Sequence, residues 1–286
     1  MPDYRIIRRE GRDVLGEGPC WSPSRGCLFW VDIVAPALHG MDLASGAVTS
    51  WAMPERIGWA IEREGRDDFI IGLKSGFAEL SLEPFAIRPI GDPEPHLPDN
   101  RLNDAKVDAH GRIWAGSKDD RDEQASGQLH RLDPDLRWST HDGGYQVTNG
   151  PTFSPDGRTL YHTDSGARTV YAFNLSSDGA LSNKRVFLRF EEEWGYPDGM
   201  TTDSKGGLWI AHWGGSRISR FHADASLDRS IMLPATNITS IAFAGDALDR
   251  MFVTSAAMGT DNEEHAGALF EIFAGATGLP SQRFAG

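Results

Sequence analysis

Short apolar runs punctuate the chain at near-regular intervals, and each is entered from a turn. Residues 28–32 (LFWVD) follow Gly26, 69–73 (FIIGL) follow Gly65, 113–117 (IWAGS) follow Gly111, 160–164 (LYHTD) follow Gly157 and 208–212 (LWIAH) follow Gly206. A sixth run, 251–255 (MFVTS), follows the glycine-free turn 247–250. Behind each run lies a shorter segment with partial two-residue alternation: 37–43, 76–82, 127–133, 169–175, 217–223 and 267–273. Alternation of this period predicts half-buried strands. Weaker strand candidates come next, at 48–53 and 184–190 for example. No long segment keeps a helical period.

The turn glycines are spaced 39, 46, 46 and 49 residues apart. A four-strand unit repeated every 40–50 residues is the pattern of a propeller blade. The expected fold is therefore all-β: a six-bladed β-propeller of four-stranded antiparallel blades around a central channel. Six units fill residues 1–286 as one domain, and residues 4–10 (YRIIRRE) supply the outer strand that closes the ring.

The repeat gives phase as well as fold. The first strand of a blade lines the channel, and its start opens at one mouth. Eight residues before Gly206, Gly157 and Gly111 stand Asp198, Asn149 and Asn103, and Glu17 lies nine before Gly26. The other two units place Ile57 and Ser240 there. Pro197-Asp198-Gly199 is thus a channel-mouth element, whereas Pro155-Asp156-Gly157 is a hairpin. Four oxygen-bearing side chains converging without a lysine or arginine at their level would be costly to bury bare. A divalent cation removes that cost, and this donor set suits Ca2+, Mg2+ or Mn2+.

Composition narrows the partners. The formal charge is −13 and no Lys/Arg block occurs, which argues against nucleic acid and anionic membranes. No apolar stretch is long enough to span a bilayer, and the first fifteen residues lack a signal-peptide pattern, so a cytoplasmic location is expected. Cys20 and Cys27 read as two buried free thiols. No G-x-S-x-G, H-E-x-x-H or P-loop is present. His162 and His212 read as strand packing, and Trp30, Trp114 and Trp209 as inter-blade core.

The stretches LGEGPCW (15–21), NRLNDAKVDAHGRIWAGS (100–117), TNGPTFSPDGRTLYHTDS (148–165), LSNKRVF (181–187) and YPDGMTTDSKGGLWIAHWGG (196–215) resemble the gluconolactonase / senescence marker protein (regucalcin) / luciferin-regenerating-enzyme family of six-bladed propellers. The resemblance implies that Glu17, Asn149 and Asp198 ligate one divalent metal; on the mechanism expected for such a site, Asp198 is also the catalytic residue, accepting a proton from the attacking water. It implies substrate contacts at Arg101 and Asn103. Where the family usually has Thr-Met, this chain has Ser117-Lys118. The acidic substrate contact of some members has Asp119, Asp120 and Glu123 as candidates, in a polar loop that would lie over the channel mouth. The implied activity is metal-dependent hydrolysis of a sugar lactone to the aldonic acid, with Ca2+, Mg2+, Mn2+, Zn2+ or Fe2+ tolerated. The alternatives are a metal-dependent phosphotriesterase or arylesterase, and a non-catalytic calcium-binding propeller.

Overall fold

A computed structural model describes residues 3–260 and 262–286. Met1, Pro2 and Asp261, inside the expected 1–286 span, lie outside the described residues. Six four-stranded antiparallel sheets follow one another along the chain, as the repeat predicts. Five are made of consecutive strands throughout, the first being Gly16–Ser22, Cys27–Asp32, Ala37–Asp42 and Val48–Ala52. The last sheet orders Tyr4–Ile6, Phe270–Ile272, Arg250–Ala256 and Asn237–Ala244, so the N-terminal segment closes the ring as expected. The paired part of that segment is Tyr4–Ile6, shorter than residues 4–10. Among the described residues the one helical element is the 3-10 turn Glu192–Trp194, and no helix is long and apolar enough to cross a membrane.

Burial explains the sequence pattern. Second strands such as Cys27–Asp32 and Phe69–Leu73 are covered on both faces by neighbouring sheets and read as unbroken apolar runs. The outermost strand Leu181–Arg189 is largely exposed and polar. Cores form between sheets: Phe29 and Leu38 of the first pack with Ile57, Phe69, Ile71 and Leu80 of the second. Trp30, Trp114 and Trp209 are fully buried, and each indole N–H donates to an aspartate: Asp13 (3.0 Å), Asp108 (2.9 Å) and Asp203 (2.9 Å). Asp108 and Asp203 also accept amides of their own hairpins, which ties each turn to the core beside it.

His162 is fully buried edge-on to Tyr145, with ring centroids 4.8 Å apart, and burial drives its pKa down to about 3. The His212 ring shares a 2.8 Å hydrogen bond with the Trp194 carbonyl, and burial lowers its pKa to about 4. Both are neutral packing residues near pH 7. Cys20 and Cys27 are free thiols, as expected, but half-buried rather than buried, and desolvation still pushes both up to about 12.

Two features were not foreseen. Every innermost strand carries a register shift near its channel-mouth end, between Glu17 and Cys20, Ile57 and Trp59, Leu102 and Ala105, Asn149 and Thr152, Pro197 and Met200, and Ile238 and Ile241. Such bulges re-aim side chains. The C-terminal segment also tucks beneath the ring: the Phe284 amide donates to Glu62 O (2.9 Å) and the Ala285 amide to Gly111 O (3.0 Å), with Phe284 fully buried.

At the bulges adjacent innermost strands almost touch. A Cβ on Gly58 would lie 2.5 Å from the Asn103 carbonyl oxygen. Backbone cannot yield as a side-chain tip can, so Gly58→Ala is expected to cost about 1–3 kcal/mol. Chemical denaturation of the variant should show a midpoint below wild type; an unchanged midpoint would refute the close approach.

Candidate active site

The four predicted side chains arrive at one mouth of the channel from four sheets. Glu17 lies on Gly16–Ser22, Asn103 on Asn100–Val107, Asn149 on Thr148–Phe153 and Asp198 on Tyr196–Thr202. All are buried. Arg101 Nη1 donates to Asn103 Oδ1 (2.6 Å), Asn103 Nδ2 donates to Asn149 Oδ1 (3.0 Å), and Asn149 Nδ2 donates to Ser165 Oγ (2.9 Å). Ser165 Oγ in turn donates to the Pro197 carbonyl (2.6 Å), beside Asp198. A polar chain thus crosses three blades and fixes the two amides.

The carboxylates are poorly satisfied. Glu17 accepts only the Gly18 amide (2.9 Å), and Asp198 only the Gly199 amide (3.0 Å), among the described residues. Burial first, then the nearby Asp104 charge, pushes Glu17 up to about 8. Burial, then Glu17 and Asp104, raises Asp198 well above the ordinary carboxylate range. Neither forms an ion pair among the described residues; Arg101 acts on Glu17, and Lys118 on Asp198, only through space. Mutual repulsion of this kind reports spatial convergence and a missing positive charge.

Asp104 is the residue that sequence reasoning passed over. Its Oδ2 accepts the Gly150 amide (3.0 Å), next to Asn149, and burial lifts its pKa to about 6. A signal was available. One step past the ring position the other three strands have Gly18, Gly150 and Gly199, and only this one has a side chain.

Among the described residues no three His, Cys, Asp or Glu side chains are gathered tightly enough to hold a metal by themselves. The expected donor set is not of that kind, since its third member is an amide. Two buried carboxylates without a counter-charge, beside a fixed Asn149, fit a hard divalent cation. A cavity of about 360 Å³ opens at the opposite end of the channel, lined by Cys20, Lys106, Thr152 and Thr201, each three residues beyond a ring position. The converging carboxylates Glu17 and Asp198 lie at the other mouth.

Residues 15–257 match the family model of the SMP-30/Gluconolactonase/LRE-like region. The chain belongs to this family. It is 34% identical over 284 residues to a 6-deoxy-6-sulfogluconolactonase of Pseudomonas putida, with 96% of both chains covered. It is 33% identical to an L-arabinolactonase of Azospirillum brasilense, covering 96% of this chain and 93% of that one. Its fold matches a luciferin-regenerating enzyme with TM-score 0.94 at 28% identity and full coverage of both. It also matches a calcium-binding protein, regucalcin, of Agrobacterium tumefaciens, with TM-score 0.93 at 25% identity, covering 98% and 97%.

In this SMP-30/gluconolactonase-like chain the acidic loop divides its labour. Asp119 accepts the amides of Arg121 (3.1 Å), Glu123 (2.9 Å) and Gln124 (2.9 Å), so its carboxylate folds the loop. Asp120 accepts Arg101 Nε (2.8 Å) and holds that guanidinium over Asn103. Glu123 is exposed.

The raised Glu17 carboxyl sets a sign for stability. Below about pH 4.5 it is protonated folded and unfolded alike; between 4.5 and about 8 only the folded state keeps the proton. Cation-free protein should therefore lose stability as pH rises through that window. Thermal melts in chelator across roughly pH 5 to 9 should show a falling Tm, flattened by added Ca2+ and by Glu17→Gln. A Tm that rises over that range in chelator would contradict the bare-carboxylate assignment.

Proposed function

We propose that this protein, as one domain, is a divalent-cation-dependent sugar lactonase, with Glu17, Asn149 and Asp198 holding the cation and Arg101 and Asn103 contacting the substrate. The observation that carries the reading is the pair of buried carboxylates, Glu17 and Asp198, raised by burial first and then by neighbouring carboxylate charge, that of Asp104 on Glu17 and those of Glu17 and Asp104 on Asp198, with no cationic side chain bound to either. The similarity to two lactonases over nearly the whole chain supports the reaction class. The regucalcin fold match supports the cation, and Ca2+ is the first ion to test.

A bound divalent cation supplies Lewis acidity toward the lactone carbonyl and charge compensation for the oxyanion. Everything else falls to the chain. Asp198, which would help hold the cation, accepts the proton of the attacking water. Asp198, whose pKa burial raises, would be held ionised near neutrality beside a cation bound by Glu17, Asn149 and Asp198. The Arg101 guanidinium, fixed by Asp120 and bonded to Asn103, presents donors to ring oxygens. Asp104 acts as a positioning residue: its bond to the Gly150 amide fixes the backbone that carries Asn149.

Asp198→Asn should preserve the melting curve in chelator within a few degrees yet lower kcat by about 100-fold or more. A panel of pentono- and hexono-lactones with paraoxon-like and aryl esters, read by acid release with several divalent ions, separates a lactonase from a general esterase. Full activity after exhaustive chelation, or wild-type rates in Asp198→Asn, would overturn the assignment.

A further inference from the structure

Arg101 and Lys118 are direct partners across the antiparallel strands Asn100–Val107 and Ile113–Asp119. Residues so opposed share a face, and like charges there repel. Both are buried, Arg101 at 5% and Lys118 at 8% exposure, where water screens little. Burial, then the Arg101 charge, holds the Lys118 ammonium pKa below its ordinary range. Two further cations crowd the spot: Arg56 pairs with Asp120, and Lys74 Nζ lies 3.4 Å from it. The partner of Lys118 is Asp122, whose side chain is 60% exposed, and such surface pairs contribute little. Four cations thus lean on two carboxylates beside the ring. Stability gives no reason for Lys118; a methionine would fill its place without repulsion.

The donors point to what is missing. Arg101 spends Nε on Asp120 and Nη1 on Leu102 O (3.1 Å) and Asn103 Oδ1 (2.6 Å). Its Nη2 has no hydrogen-bond partner among the described residues, and the Lys118 ammonium, with three protons, has one partner. One free guanidinium N–H group and one ammonium side by side match the two oxygens of a carboxylate. The charge of Lys118 also reaches Asp198, so the pair lies within a small molecule's length of the reacting centre.

We propose that Arg101 and Lys118 together seat a second, unreacting carboxylate on the substrate, making the enzyme selective for lactones of sugar diacids over neutral sugar lactones. This rests on the lactonase reading and adds the substrate's charge to it. Arg101 contributes directional N–H bonds and Lys118 a point charge. In the sequence Lys118 is a departure from the usual Thr-Met; the strand register turns that departure into a specificity determinant.

The test compares D-glucaro-1,4-lactone with D-glucono-1,4-lactone, which differ only in carboxylate against hydroxymethyl at C6. Wild type with Ca2+ should favour the glucarolactone in kcat/KM by about tenfold or more, chiefly through KM. Raising the salt from about 0.05 to 0.5 M should narrow the preference without any mutation. Lys118→Met should bring the ratio near unity while rates on the neutral lactone stay within about threefold, and Lys118→Arg should keep most of it. Equal kcat/KM on the two lactones, or a preference unchanged in Lys118→Met, overturns this inference and leaves the lactonase reading standing. Failure of wild type on every lactone of the panel takes both down.

Discussion

The site depends on one unresolved electrostatic debt: Glu17 and Asp198 are buried at the channel mouth with a single backbone amide each, and neither has a cationic side chain bound to it. Isolated carboxylates in such surroundings are unfavourable unless protonated or met by a cation. Asp104 sharpens the problem, since it adds a third carboxylate to the same neighbourhood. Much of the surrounding architecture arranges this cluster without neutralising it. The amides of Asn103 and Asn149 are fixed by a hydrogen-bond chain that runs to Ser165 and the carbonyl before Asp198.

That arrangement is affordable because the ring around it is rigid. Each blade buries both faces of its second strand, and the aspartates of two hairpins tie their turns to the core tryptophans. The bulges then turn the first residues of the innermost strands toward the axis, and glycines such as Gly58 let neighbouring backbones close to contact distance. Strands, rather than loops, therefore carry the four converging side chains. In the other two blades the register puts Gly58 and Thr239, rather than Ile57 and Ser240, at that level, and Thr239 Oγ1 donates to the Gly16 carbonyl (2.5 Å).

The two ends of the channel differ in character. At the mouth of Arg101 and Lys118 cations crowd beside the carboxylate ring, with Asp120 shared among Arg56, Lys74 and Arg101. At the opposite end, the C-terminal segment borders a cavity in which Lys106 and threonines replace the ring residues. The asymmetry is set by the strand direction: all six innermost strands start at the same mouth, so one end collects loop and ring chemistry and the other collects hairpins.

The sequence by itself determined the six-unit repeat, the order of strands, the N-terminal closure and the phase that brings Glu17, Asn103, Asn149 and Asp198 together. These follow from period and spacing, which are local and repeat six times, so each copy corroborates the rest. Family resemblance added the division of roles among those residues. Only the tertiary structure decided which acidic loop residue does what: Asp119 and Asp120 are neighbours in sequence, yet one caps the loop and the other grips Arg101. It alone revealed Asp104 on the Gly150 amide, the tail under the ring and the opposition of Arg101 to Lys118. Those contacts join residues 17 to more than 200 positions apart and depend on register, bulge and burial, none of which a single copy of the repeat encodes.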